Sequence, residues 1–336
     1  MKIPTLFDVT LVARSNDVDP IRGKDYIAFA WEDFFTVFYF SEETVGHLLI
    51  QSVMYNRLDF SQLHAATQAA STWNLAHVDL TATAKIHDAA ASTELGFRTA
   101  FPVATGTTQH QLTATIGHAC DIAHEASTFF IEQFPSLKCQ LTLSEKTALA
   151  QQYAAKLAAK APTLPEHPRR LAEEARFMQR LMSTDDELLE GISMVTLPRI
   201  RTMLTELGST ELDIAVDANN LMMSFCNVMF NVSVAPGPAL ILRGHWVPTS
   251  EVGQDFARVF TLCNEWNQSS RTTTAYCSET NSTLPLVNVE YTVAMTRGLS
   301  EAQLAQALRV GLSNILTAVE HLSTTGDGAS VVTWAN

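Results

Sequence analysis

The stretch Thr261-Leu-Cys-Asn-Glu-Trp-Asn267 decides the fold. Upstream of it, Val252, Phe256, Val259, Phe260, Cys263 and Trp266 recur at helical spacing, so an amphipathic helix ends on a large aromatic. Downstream, 273–277 and 286–295 are short runs of β-favouring residues. The same order stands earlier in the chain. Leu63, Ala66, Thr67, Ala70 and Trp73 line a helix that reads to Ala70-Ser-Thr-Trp-Asn74, with strands over 78–86 and 93–103 after it. An offset of 193 residues carries Trp73 onto Trp266, Asn74 onto Asn267, and Leu48-Leu49 onto Ile241-Leu242. A period this long reads as a duplicated domain. Cys263 becomes Ala70 and Glu265 becomes Thr72 across that offset, while Trp and Asn recur. Trp73, Asn74, Trp266 and Asn267 are therefore expected to be packing anchors and helix stops that define the domain.

Each copy then reads helix, three or four strands, helix, two strands, helix. The first half offers a helix over 3–14, a hairpin of 26–31 and 34–40, a third strand over 46–55, a helix opened by Asp59 or Ser61, and no legible strand between Asp17 and Lys24. Its last helix, 109–134, opens on a Thr108/Gln111 capping box and closes at Pro135. In the second half, helix 196–207 is followed by strands over 212–216, 221–225, 228–235 and 239–247, with a hairpin turn at Cys226-Asn227. Thr249 or Ser250 caps the next helix, and Ser300 with Gln303 caps the last one, to Leu322.

Between the halves, Thr142 with Glu145 opens an Ala- and Lys-rich helix, three prolines follow, and a second helix spans 169–182. The expected fold class is α+β: two tandem domains, each an antiparallel sheet packed with helices in the order α-β-β-β-α-β-β-α, joined by a helical connector. The expected boundaries are 1–139, connector 140–191, 192–324, and a tail 325–336.

At 336 residues, 46% hydrophobic and 17% charged, the composition suits two globular domains. A net charge of −13 opposes a nucleic-acid backbone. The basic clusters, Arg169-Arg170 with Arg176 and Arg180, and Arg199 with Arg201, share their helices with Glu and read as solvated faces. No stretch has the about 20 apolar residues of a membrane span, and 1–8 lacks a signal-peptide core, so a cytoplasmic protein is expected. Five cysteines without a CxxC pair suit reduced thiols.

Candidates for chemistry are sparse. Cys120 and His124 share a helix face, with His118 on another, but zinc needs three or four ligands. His110 and His87 could serve as bases and Ser300 or Ser323 as nucleophiles, yet no nucleophile elbow surrounds them. Gly326-Asp-Gly328 reads as a tail turn, and no phosphate loop follows a strand. No catalytic residue, metal or cofactor is expected. The aromatic set is richer: Phe29, Trp31, Phe34, Phe35, Phe38, Tyr39 and Phe40 occupy both parities of one hairpin. They form either core or a contact surface. Trp31, Phe34, Phe38 and Phe40, with Phe225 and Phe230 of the second half, are the candidate interface.

Cys263-Asn-Glu-Trp-Asn-Gln268, Arg271, Tyr276 and Gly298-Leu-Ser-Glu-Ala-Gln-Leu304 together resemble the YbjN-like family of bacterial sensory-transduction regulators over 196–322. The first half departs from the pattern, with Ser71-Thr-Trp-Asn74 and Thr107-Thr-Gln-His110. The resemblance implies a fold similar to type III secretion chaperones and a binding or regulatory role. Secretion chaperones of this fold act as homodimers, so the two copies would form an internal pseudo-dimer, as a monomer or a homodimer. The expected function is a non-enzymatic, chaperone-like or regulatory adaptor with a protein partner. A small-ligand sensor with a pocket between sheet and helix, and a metal-dependent enzyme built on Cys120 and His124, are the alternatives.

Overall fold

The computed structural model describes residues 3–14, 19–40, 46–87, 91–159, 192–206, 212–217, 220–235, 239–249, 256–278, 285–295 and 297–334. Its contacts divide the chain into two units, 1–161 with 270–272, and 162–269 with 273–336. The expected helix over 169–182 and its Arg cluster lie outside the described residues.

The first unit runs α1 (Leu6–Arg14), β1 (Ile21–Arg22), β2 (Tyr26–Ala30), β3 (Phe34–Phe40), β4 (His47–Met54), β5 (Leu58–Asp59), α2 (Leu63–Ala76), β6 (Thr81–His87), β7 (Ser92–Pro102), α3 (Gln109–Gln133) and α4 (Leu143–Ala159). Its antiparallel sheet has the order β1-β2-β3-β4-β7-β6, with β5 beside the start of β7. The strand not legible between Asp17 and Lys24 is β1. Two residues are too short to carry an alternation.

Both faces of this sheet are buried, which explains the aromatics at both parities. On one face Phe29 and Phe38 meet Val9 and Val12 of α1 and Leu112 and Ile116 of α3, while Phe34 and Phe97 meet Trp73 and Phe130. On the other face Tyr26, Phe35, Val37, Tyr39 and Leu49 meet Ala150 and Ala154 of α4. The helix expected to begin a connector instead covers the sheet. Tyr153 and Leu157 flank the contact, and the Tyr26 hydroxyl donates to the Gln151 carbonyl. Of the candidate interface, Phe34 and Phe38 are core residues, and Trp31 and Phe40 are half-buried against it.

The second unit runs α5 (Leu197–Glu206), β8 (Leu212–Asp217), β9 (Asn220–Phe225), β10 (Val228–Ala235), β11 (Ala239–Trp246), α6 (Phe256–Ser269), β12 (Thr274–Ser278), β13 (Leu286–Ala294) and α7 (Glu301–Asp327). Its antiparallel order is β8-β9-β10-β11-β13-β12. Strand for strand this is the order of the first sheet without β5. Val228, Phe230 and Val232 alternate inward with Leu240, Leu242 and Trp246 under α6 and α7. Phe230 is therefore core, and Phe225 packs half-buried beside it. Contact is close along α7: a methyl group at Gly311 would lie 2.7 Å from Tyr291 Cδ1 and 2.9 Å from Leu242 Cδ2.

Local signals explain the boundaries. The capping boxes of α3 and α7 form as the sequence predicts. Cys226 and Asn227 both have positive φ, 52° and 64°, the geometry of a two-residue type I′ hairpin. The last helix passes Leu322 and ends five residues later at Asp327, with Gly328 in the left-handed region after it. The tail also folds back: the Trp334 indole donates to Glu320 Oε1, and the Asn227 amide donates to the Val331 carbonyl.

Candidate functional site

In the recurring Trp-Asn pair, the Asn makes the same two bonds in both units. α2 continues through Asn74 to Ala76, and α6 continues through Asn267 to Ser269, so neither Asn stops its helix. Each buried amide turns to the adjacent edge strand. Asn74 Nδ2 donates to the Ala82 carbonyl at 3.0 Å and Oδ1 accepts from the Ala82 N–H at 2.7 Å. Asn267 repeats both bonds with Ala275 at 2.7 Å each. The amide thus stands in for a neighbouring strand, pairing backbone groups that β6 and β12 would otherwise leave open. The indoles add one bond each, Trp73 to the Leu80 carbonyl and Trp266 to Thr273 Oγ1. The arrangement holds a helix on a strand and offers no reactive group.

Buried charge gathers on each sheet around one glutamate. Glu94 of β7 receives Arg57, His87 at 3.1 Å, and the Tyr153 hydroxyl from α4 at 3.0 Å. Burial, then the adjacent Glu94 charge, pushes the Tyr153 phenol well above its ordinary range. In the second unit Glu290 of β13 takes Arg243 and the Tyr276 hydroxyl, and next to it His245 Nδ1 lies 3.0 Å from Asn288 Oδ1. Burial lowers the His245 pKa. Arg243 and His245 belong to the sheet face turned away from α6 and α7, where Met222 and Ser224 stand opposite Asn231 and Met229. Met229 is 43% exposed, and Met222, Ser224 and Asn231 are half-buried. A carboxylate neutralised by Arg and Tyr holds position; beside it a Met- and amide-bearing surface can adapt to another protein.

The residues proposed for chemistry are engaged elsewhere. His118 Nε2 lies 3.0 Å from Asp79, whose hydrogen bond raises the imidazole pKa. His124 Nδ1 donates to the Cys120 carbonyl, and its ring packs edge-on between Trp31 and Phe34. Burial pushes the Cys120 thiol up to about 12. Ser300 Oγ caps α7, Ser323 Oγ accepts from the Val331 N–H, and His110 is exposed at the start of α3. Among the described residues no three His, Cys, Asp or Glu side chains gather as a metal site, and no helix is long and apolar enough to cross a membrane. The sequence reading missed the Glu94 and Glu290 centres. Their only signal was a glutamate placed inside a strand, at Glu94 of β7 and Glu290 of β13.

Among known proteins, residues 197–324 match a family model, YbjN, described as "Putative bacterial sensory transduction regulator". No curated protein matches the chain. A solved structure, YbjN from E. coli, is similar at 15% identity, covering 41% of this chain and 98% of its own, with a TM-score of 0.34.

Proposed function

From the match of residues 197–324 to a family of sensory-transduction regulators, we propose that this chain is a non-enzymatic, cytoplasmic regulatory adaptor that works through protein contacts. Its contact surface is the Met222, Ser224, Met229 and Asn231 face of β9 and β10. The observation that carries the placement is the exposed Met229 among polar neighbours, on the face opposite the helices. Methionine adapts its shape to a partner, and nearby amide and hydroxyl groups fix orientation. The first unit is a diverged copy of the second. The shared strand order and the Asn-to-Ala bonds repeated at the 193-residue offset support that descent.

The test is affinity capture from lysate of the source organism, comparing the parent chain with Met229→Glu and Asn231→Arg. Both variants melt with the parent and lose the partner that the parent retains. Retention by both variants would overturn the placement. Light scattering on the purified chain distinguishes a monomer, which suits an internal pseudo-dimer, from a homodimer.

A further inference from the structure

We propose that Cys263 and Cys277 are a latent intradomain disulfide, a reversible oxidation site that staples α6 to β12. Their sulfurs lie 3.7 Å apart, in van der Waals contact, and both side chains are buried. The spacing follows from the clamp beside it. Cys263 is one helical turn before Asn267 and therefore on the same face of α6. Cys277 is two residues past Ala275 and therefore on the same face of β12. The two Asn267–Ala275 hydrogen bonds fix helix and strand so that the thiols face each other.

Packing alone does not require sulfur here. The positions at the same offset in the first unit are Ala70 and Ala84, both buried between α2 and β6. A disulfide also has a consequence for the Glu290 centre. Tyr276 precedes Cys277 and points to the opposite face of β12, where its hydroxyl donates to Glu290. Anchoring Cys277 therefore holds Tyr276 over Glu290.

The reaction is a two-electron oxidation by a peroxide or a diazene. With peroxide, a thiol gives up its proton and the thiolate attacks one oxygen, breaking the O–O bond; the sulfenic acid forms and the departing hydroxide takes up the thiol's proton as water. The second thiol then displaces hydroxide from that sulfur, giving the disulfide and, after proton transfer, a second water. With a diazene, the two thiols lose two electrons and two protons, and the N=N bond is reduced to a hydrazine. The hydrogen bond to Cys277, then burial, holds the Cys263 thiol well above its ordinary pKa, so the reaction is slow in the closed protein. Access comes from opening of β12, a five-residue edge strand paired on one side to β13.

The test treats the folded full-length chain with diamide, alkylates remaining thiols in denaturant, and maps the peptides. The expected product joins the peptides of Cys263 and Cys277, with a mass loss of about 2 Da for the two hydrogens removed. Dithiothreitol reverses it, and the oxidised chain unfolds at higher urea. Cys263→Ala abolishes both the cross-link and the urea shift. The double variant Cys263→Ala/Cys277→Ala, which reproduces the alanines of the first unit, folds and shows neither response. Recovery of both residues as free thiols, when the same treatment oxidises them in urea-unfolded protein, would overturn the proposal. So would cross-links joining either residue to Cys120, Cys139, Cys226 or a second chain.

Discussion

Replacing Asn267 by alanine removes two hydrogen bonds of 2.7 Å each and leaves the N–H and C=O of Ala275 facing an apolar gap. Asn267 is 2% exposed and Ala275 1%, so water cannot take over those bonds without opening the strand. Each orphaned buried group costs about 1–3 kcal/mol, for a total of about 2–6 kcal/mol. Against a domain stability of about 5–15 kcal/mol that is a large fraction. With a urea slope of about 2 kcal/mol per molar, the unfolding midpoint of the second unit falls by about 1–3 M. Urea titration followed by tryptophan fluorescence reads the shift, because Trp266 is buried beside the clamp. Asn74→Ala produces a loss of the same order in the first unit.

Asn267→Asp adds a test with a sign. The new carboxylate accepts from the Ala275 N–H but opposes its carbonyl, and burial raises its folded pKa above the unfolded value. Protonation therefore favours the folded state. The deficit is largest near pH 7 and shrinks as pH falls through the raised pKa. A loss below about 0.5 kcal/mol for Asn267→Ala, smaller than a single net hydrogen bond, would refute the strand-surrogate reasoning.

Further outcomes follow from the packing. Gly311→Ala gains helix propensity but places a methyl 2.7 Å from Tyr291, so thermal unfolding shows a net loss of about 1–3 kcal/mol. Cys226→Gly relieves a non-glycine residue at φ 52° and raises the melting temperature, by about 0.5–1 kcal/mol of stability. His118 has a folded pKa raised chiefly by its Asp79 hydrogen bond. Its stabilisation is fully present below the unfolded pKa and is lost as pH rises through the folded value. Parent and His118→Gln thus differ more at about pH 5.5 than at about pH 9 in parallel urea titrations.

Local chemistry made much of this fold legible. Thr108/Gln111 and Ser300/Gln303 are caps because the bonds they make lie within four residues, and Cys226-Asn227 is a turn because alternation on both sides leaves two residues between strands. What failed was tertiary. α4 buries mainly Ala150 and Ala154 on the sheet, a face too small to stand out from an alanine-rich spacer. Asn74 and Asn267 looked like helix stops because asparagine competes for backbone bonds locally; here each amide reaches a strand eight residues on. The aromatic hairpin left core and interface open because its parity cannot reveal that α4 returns to cover the second face. Glu94 and Glu290 stayed hidden because their partners come from other strands and from α4.

The proposal that the chain acts through protein contacts on the β9–β10 face is tested most directly by hydroxyl-radical footprinting of the full chain with and without its captured partner. Met229 is exposed and readily oxidised, while Met223 on the inward face is fully buried and serves as the internal reference. The account predicts that the partner suppresses Met229 oxidation severalfold and leaves Met223 unchanged. Unchanged Met229 oxidation in a saturated complex would contradict it.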